Sequence, residues 1–307
     1  MIEIVERGAV RELRLARPPA NALSPELMSA LSAALARAAA EASAPAPAPA
    51  SAAPERVAAL VLSGAPGMFS AGLDVPYLLT LDRAGIRVMW RNLYALLRTL
   101  AASPLPVVAA ITGHSPAGGA VLALHCDARV MADGDFRIGL NEVRVGLPLP
   151  PVIFAAMRRL VGPRQAERMC VSGALVSPAE AARIGLVDEV VPPDQVVERA
   201  AAIAAELAAL PRAAMAATRR LARADLVALY DDVQDEDGEG SEYDPDREGR
   251  TGGEDGEDAA GAEAGKGREG GKGGEIEGVL DSWFSVEAQT TMRALVERLA
   301  HKRAGAG

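Results

Sequence analysis

Short continuous apolar runs alternate along this chain with longer stretches in which apolar positions recur at helical spacing. The runs Ile2–Val5, Arg11–Leu15, Val57–Leu62, Val107–Ile111 and Val187–Val191 are brief and rich in Val, Ile and Leu, and they predict strands. Helical spacing predicts helices over Pro25–Glu41, Asp82–Ala102, Gly119–Leu124, Val152–Leu160, Arg164–Ser172, Pro178–Ile184, Asp194–Ala209 and Arg212–Leu229. Several open on Pro or Asp, which suit the first turn or the N-cap. Near the end, Val286, Met292, Leu295, Val296 and Leu299 share one face of a helix predicted over Ser285–Arg303. Strands and helices interleave, so the fold class is mixed α/β.

Two stretches break this pattern. From Ala42 to Pro54 the chain contains only Ala, Pro and Ser, which predicts an extended loop at 42–55 between a helix and a strand. From Asp231 to Gly278 there are 18 Asp and Glu against 5 Lys and Arg, with few large apolar residues. Such a segment cannot bury enough surface to offset the entropy of ordering, and it predicts a disordered insertion at 231–278, a solvated linker rather than a partner-binding tail. A helix that resumes after it makes 279–307 the completion of the domain begun in 1–230. The chain's net charge of −9 therefore sits in the insertion; a local balance of −13 leaves +4 elsewhere, a weak preference for an anionic small ligand.

Composition narrows the classes further. Of 307 residues half are hydrophobic but only 3% aromatic, so Ala, Leu and Val must fill the core. The longest apolar stretch, Leu105–Leu124, holds Pro, His and three glycines, which argues against a membrane span, and no basic-then-apolar stretch opens the chain. Cys126 and Cys170 are the only cysteines, too few for a disulfide framework or a cysteine-rich zinc site. The expectation is a cytoplasmic enzyme without a metal site, without a nucleic-acid partner and away from membranes.

Candidate chemistry lies in two segments. Ser115-Pro116-Ala117-Gly118-Gly119-Ala120 is a tight glycine turn before a helix, able to expose backbone N–H groups. Ile138 to Gly146 places Glu142 between Ile138, Leu140, Val143 and Val145 in a strand-like apolar setting. Bared N–H groups favour negative charge on oxygen, and a desolvated carboxylate is a stronger base. Together they can remove a proton from carbon beside a carbonyl.

With these segments the chain resembles the enoyl-CoA hydratase/isomerase (crotonase) superfamily over nearly everything outside the two low-complexity stretches. The resemblance is carried by Pro19-Ala20-Asn21-Ala22-Leu23, Phe69-Ser70-Ala71-Gly72-Leu73-Asp74, Gly113 to Asp127, Ile138 to Gly146, Ala179 to Val191 and Ser282-Trp283-Phe284-Ser285, in order and spacing. The Phe69, Ser115 and Ile138 motifs are most similar to mitochondrial-type 3-enoyl-CoA to 2-enoyl-CoA isomerases. The resemblance implies a crotonase (ClpP/crotonase-like) fold of repeated ββα units with a helical C-terminal region that assembles trimers or dimers of trimers. It implies an acyl-CoA thioester whose carbonyl sits between the N–H groups of Leu73 and Gly118, bordered by Ala71, Gly72, Leu73, Asp74 and Val75, with Asn141 beside the base Glu142. Coenzyme A is then part of the substrate and no separate cofactor is expected.

Hydratases of the superfamily use two glutamates, and the first of those positions here is Val121. One carboxylate suits a proton shuttle, as in isomerisation within fatty-acid β-oxidation, whereas hydration needs a second acid such as Asp74, which equally caps its own turn. Other enolate reactions, and acyl-CoA binding without turnover in an assembly subunit, fit the same fold. A different reading treats Gly113-His114-Ser115-Pro116-Ala117 as a hydrolase nucleophile elbow with Ser115. Ala117 stands where that motif needs glycine, and the only distant downstream histidine is His301. His114 and His125 read as structural, Arg144 as exposed or phosphate-facing, and Lys302 and Arg303 as helix-end cations or phosphate partners. Tyr77, Met89, Trp90, Tyr94 and Leu147–Val152 are candidate acyl-pocket walls.

Overall fold

A computed structural model describes residues 1–44, 56–238 and 274–304. Its strands are β1 (Ile2–Arg7), β2 (Val10–Leu15), β3 (Ala59–Ser63), β4 (Gly67–Met68), β5 (Val107–Ile111), β6 (Gly113–Pro116), β7 (Ala128–Ala132), β8 (Ile138–Gly139) and β9 (Glu189–Val191). The helices of the first half are α1 (Pro25–Ser43), α2 (Val75–Leu78), α3 (Arg83–Ala102) and α4 (Gly118–Leu124). Then follow α5 (Pro151–Val161), α6 (Pro163–Ser172), α7 (Pro178–Arg183), α8 (Val196–Ala208), α9 (Arg212–Ala222), α10 (Ala224–Gly238), α11 (Glu275–Trp283) and α12 (Val286–Ala304).

The large sheet has the order β1-β2-β3-β5-β7-β9, antiparallel only between β1 and β2. A parallel sheet needs cover on both faces, and β3 and β5 are buried at every residue. Side chains divide by strict alternation. Ala59, Val61, Val108 and Ala110 face Val196, Ala200 and Ala204 of α8, while Leu60, Leu62, Val107, Ala109 and Ile111 join the larger core with α1 and α3. The three pairs β3–β4, β5–β6 and β7–β8 each send one strand to the large sheet and the next to a small parallel sheet β4-β6-β8. This is the repeated two-sheet arrangement of the crotonase fold.

Several elements differ from the sequence expectation. The segment Ile138–Gly146 is a strand only at β8; Glu142–Val145 is a 3-10 turn closed by Gly146 at φ +78°. Arg212–Leu229 is two helices broken at Arg223, whose guanidinium reaches the carbonyls of His125 and Cys126. Helix α1 runs to Ser43, past the expected loop start at Ala42, and residues 45–55 lie outside the described residues. The ends of the expected insertion are helical: α10 continues to Gly238, with Val233 buried and Asp231 paired with Arg98 at 2.5 Å, and α11 begins at Glu275. Only its middle, 239–273, lies outside the described residues. The expected C-terminal helix over Ser285–Arg303 is α12, and α11 precedes it as a helix the sequence did not announce, capped at its end by Phe284.

The helices after the sheet are pinned by buried arginine. Arg219 on α9 donates to the carbonyls of Leu100 (3.0 Å), Ala101 (2.9 Å) and Ser103 (2.5 Å) and to Asp127 Oδ1 (2.8 Å), while Asp127 Oδ2 accepts from Val107 N at 2.7 Å. One guanidinium thus satisfies the end of α3 and the entry to β5 together. His125 is wholly buried; its Nδ1 donates to Val121 O at 2.7 Å, which leaves Nε2 to accept from the Tyr230 hydroxyl at 2.6 Å. Burial pushes its pKa down to about 4, so it is neutral, in keeping with a structural histidine. No single helix among the described residues is long and apolar enough to cross a membrane.

Arg219→Met leaves Asp127 and three carbonyls short of a donor in a dry setting. Urea denaturation of this variant is expected to show a loss of about 3 kcal/mol; an unchanged midpoint would refute the pinning role.

Candidate active site

Residues 20–23 run beside 70–74 and shape one wall. Buried Asn21 donates from Nδ2 to Phe69 O at 3.1 Å and accepts at Oδ1 from Arg17 N at 2.9 Å. Its own carbonyl accepts from Ser70 Oγ at 2.7 Å, and Ser70 Oγ accepts from Gly72 N at 3.2 Å. Leu23 N donates to Gly72 O at 2.7 Å and Asp74 N to Leu23 O at 3.1 Å. In extended backbone successive N–H groups point to opposite sides, so the Leu73 N–H turns away from this pairing. It has no acceptor among the described residues.

The opposite wall is the turn from β6 into α4. Ala117 holds φ +48° and ψ −122°, with its N–H fixed to Gly139 O at 2.8 Å. The strained residue of this turn is therefore an alanine, not one of the glycines the motif suggested; its conformation costs about 1–3 kcal/mol. Gly118 follows as the first residue of α4, where an N–H has no intrahelical partner, and it too lacks an acceptor among the described residues. A Cβ at 118 would lie 2.9 Å from Leu23 Cδ1, 3.1 Å from Gly72 Cα and 3.3 Å from Leu73 N. Only glycine lets the two backbones approach closely enough for their free N–H groups to serve one oxygen.

Glu142 enters from the 3-10 turn, held through its carbonyl by Leu147 N at 3.2 Å. The residue is half-buried, but its Oε2 is shut off from solvent and unpartnered, as is Oδ1 of Asn141. Burial pushes the Glu142 carboxyl up to about 7, against a smaller lowering by a backbone hydrogen bond. Burial, with a smaller contribution from the charge on Glu142, raises the Cys170 thiol to about 11.

These pieces line one cavity of about 300 Å³. Ala71, Leu73, Val75, Gly118, Asn141 and Glu142 all border it, joined by Val121, and Glu142 is the one ionisable side chain among its described walls. Gly72 and Asp74, expected beside the ligand, do not border it. The Gly72 carbonyl is turned to Leu23, and Asp74 pairs with Arg17 at 2.5 Å and accepts from Tyr77 N at 3.4 Å as the cap of α2. Of the expected pocket walls Trp90, Leu147, Pro148 and Pro150 contribute, joined by Ile153 just beyond the expected segment, while Tyr77 is exposed and Met89 and Tyr94 pack in the core. The outer wall comes from Val279 and Trp283 of α11 and Leu295 and Leu299 of α12. The α12 residues were legible as an apolar helix face, whereas α11 begins inside the acidic composition that hid it.

Ser115 is buried, and its hydroxyl has no partner among the described residues. His114 accepts from Arg137 N at 3.2 Å, His125 is committed to Val121 and Tyr230, and His301 lies on α12, so no histidine is bonded to Ser115 as a hydrolase base. Arg144 is exposed. The side chains of Lys302 and Arg303 lie outside what is described. No group of three or more His, Cys, Asp or Glu among the described residues could hold a metal ion.

A family profile described as enoyl-CoA hydratase/isomerase matches residues 6–234. The mitochondrial enoyl-CoA delta isomerase 1 of Mus musculus is 35% identical over 224 residues, 73% of each chain. A putative enoyl-CoA hydratase of Thermus thermophilus is 35% identical over 208 residues, 66% of this chain and 76% of the relative. The crystal structure of human mitochondrial delta3-delta2-enoyl-CoA isomerase superposes with a TM-score of 0.79 at 26% identity, covering 98% of both chains.

Folding buries a carboxyl that then holds its proton more tightly than the unfolded chain does. That proton stabilises the fold fully below about pH 4.5, and the contribution is lost as pH rises toward 7. Glu142→Gln keeps the neutral form at every pH. Denaturant melts should therefore find the variant equal to the parent near pH 4 and more stable above pH 7, by about 1–3 kcal/mol; equal stability at both extremes would contradict the burial of this charge.

Proposed function

Because this chain belongs to the enoyl-CoA hydratase/isomerase family, we propose that it shifts a double bond in an acyl-CoA thioester, converting a 3-enoyl-CoA to the 2-enoyl-CoA. The observation that carries this reading is the lone ionisable side chain, Glu142, in an apolar cavity beside the unpaired N–H groups of Leu73 and Gly118.

The ionised Glu142 takes the proton from the α carbon of the 3-enoyl thioester. The electron pair moves toward the thioester oxygen, forming a dienolate whose charge is met by the two N–H groups. Donors fixed before the reaction stabilise that charge without the reorientation water would need. The same carboxyl, now protonated, returns its proton to the γ carbon; the double bond settles between the α and β carbons and Glu142 is regenerated. Atoms and charge balance with no added water. A carboxyl with a pKa of about 7 suits both halves, since it is ionised in a useful fraction near neutrality and is a stronger base than a solvated glutamate.

Hydration would need a second carboxyl to deliver a proton, and Val121 supplies none on the helix facing Glu142. The proposed product is the 2-enoyl thioester that β-oxidation consumes. Proton transfer calls on no redox or metal cofactor, and we place the activity in cytoplasmic trimers or dimers of trimers built through the C-terminal helices.

Incubation with a 3-enoyl-CoA should give a chromatographically distinct product of unchanged mass; a gain of one water would favour the hydratase reading. Glu142→Gln should lower kcat by roughly 10²–10⁴-fold while leaving acyl-CoA binding within a few-fold. The parent's kcat/KM should rise with pH to a midpoint near 7, as the base ionises. Turnover by the glutamine variant close to that of the parent would sink the shuttle.

A further inference from the structure

The cavity that holds Glu142 has an open rim and a closed floor. Around the rim Leu73 and Val75 are half-buried, Pro148 is exposed and Leu299 of α12 is 46% exposed. The floor is apolar and shut off from water: Leu93 of α3 is 2% exposed and Val279 of α11 is 7% exposed, with the buried rings of Trp90 and Trp283 beside them. Coenzyme A carries phosphates, and burying those charges unpaired would be costly, so the coenzyme has to stay at the rim. An acyl chain attached to it therefore runs inward, from the half-buried Leu73 toward α3 and α11.

That floor is not free to part. Arg83 of α3 pairs with Glu277 (2.8 Å) and Asp281 (2.6 Å) of α11, Arg87 also pairs with Glu277, and the Tyr94 hydroxyl donates to Glu275 at 3.1 Å. Such partly exposed pairs contribute little singly, and the main hold is apolar. Ile276 and Leu280 of α11 are buried in the core that contains Leu93 and Leu97 of α3. Separating the two helices to admit a longer chain would expose that surface or leave it facing a void. Volume then converts into length. An apolar cavity of roughly 150 Å³ accommodates benzene, about six carbons, so at the same packing this one, of about 300 Å³, accommodates about twelve. The thioester sulfur and its neighbour occupy part of that space at the rim, which leaves about ten carbons for the acyl chain.

We propose that the site takes medium-chain acyl-CoA thioesters, with chains of up to about ten carbons, and that Leu93 and Val279 on the floor set this limit. The proposal rests on the reading of this cavity as the acyl site. Its test uses saturated thioesters, which bind without reacting and so do not depend on the isomerase assignment. Dissociation constants would be measured calorimetrically for the series from butanoyl-CoA to hexadecanoyl-CoA. Each added methylene should tighten binding by up to about fourfold until the chain reaches about eight to twelve carbons, after which affinity should level off or fall. Val279→Ala, which removes two methyl groups from the floor, should move that break outward by about one or two carbons, and Val279→Phe should move it inward. Both variants would be checked for folding by thermal melting, and each series read relative to butanoyl-CoA on the same variant. Affinity that keeps climbing through hexadecanoyl-CoA, or a break that stays in place in both variants, would overturn the proposal. Failure of every thioester to bind would instead overturn the acyl-site reading beneath it.

Discussion

The site depends on two backbone segments lying in contact with nothing between them. Residues 71–74 and 117–118 come so close that a single added methyl at 118 would strike Leu23, Gly72 and Leu73 together. Each segment has its other hydrogen-bonding edge occupied, one by residues 20–23 and the other by Gly139. The two remaining N–H groups are left over by this geometry and need no dedicated side chain. In the proposed reaction the leucine would serve through its backbone alone, whereas at 118 it is the lack of a side chain that permits the approach.

Much of this was legible in the sequence, for reasons tied to particular residues. Val107–Ile111 and Val57–Leu62 announce buried parallel strands through unbroken apolar runs, and Glu142 stands out because it interrupts such a run. The two-residue strands β4 and β8 are too short to show any period. Nothing in an alanine signals a positive φ, so the strain at Ala117 emerges only when the small sheet and α4 are both in place. The break at Arg223 is likewise tertiary: its guanidinium is drawn to the end of α4, which local helix propensity cannot report.

The C-terminal helices show how composition misleads. Acidic and glycine-rich sequence hides the start of α11, yet Val279 and Trp283 of that helix close the cavity, and Ala288 of α12 lies against Gly146 at the end of the turn that presents Glu142. A Cβ on Gly146 would come within 2.9 Å of the Ala288 Cα. Glu142 is thus positioned by residues on both sides of the 239–273 stretch, and its dry environment depends on the chain returning to the core after it.

Helix α4 has only seven residues, all buried, with Gly118 at one end and the carbonyls of His125 and Cys126 just past the other, held by Arg129 and Arg223. Its C-terminal carbonyls are therefore anchored, while the N–H of Gly118 at its start is left without an acceptor among the described residues. In water, charge appearing on an oxygen is met by molecules that must turn, and the delay and entropy of that turning belong to the reaction. Here the dielectric response is frozen into the helix during folding, so the negative charge that the proposed reaction would develop at Gly118 would meet a polarised medium with no orientation left to find.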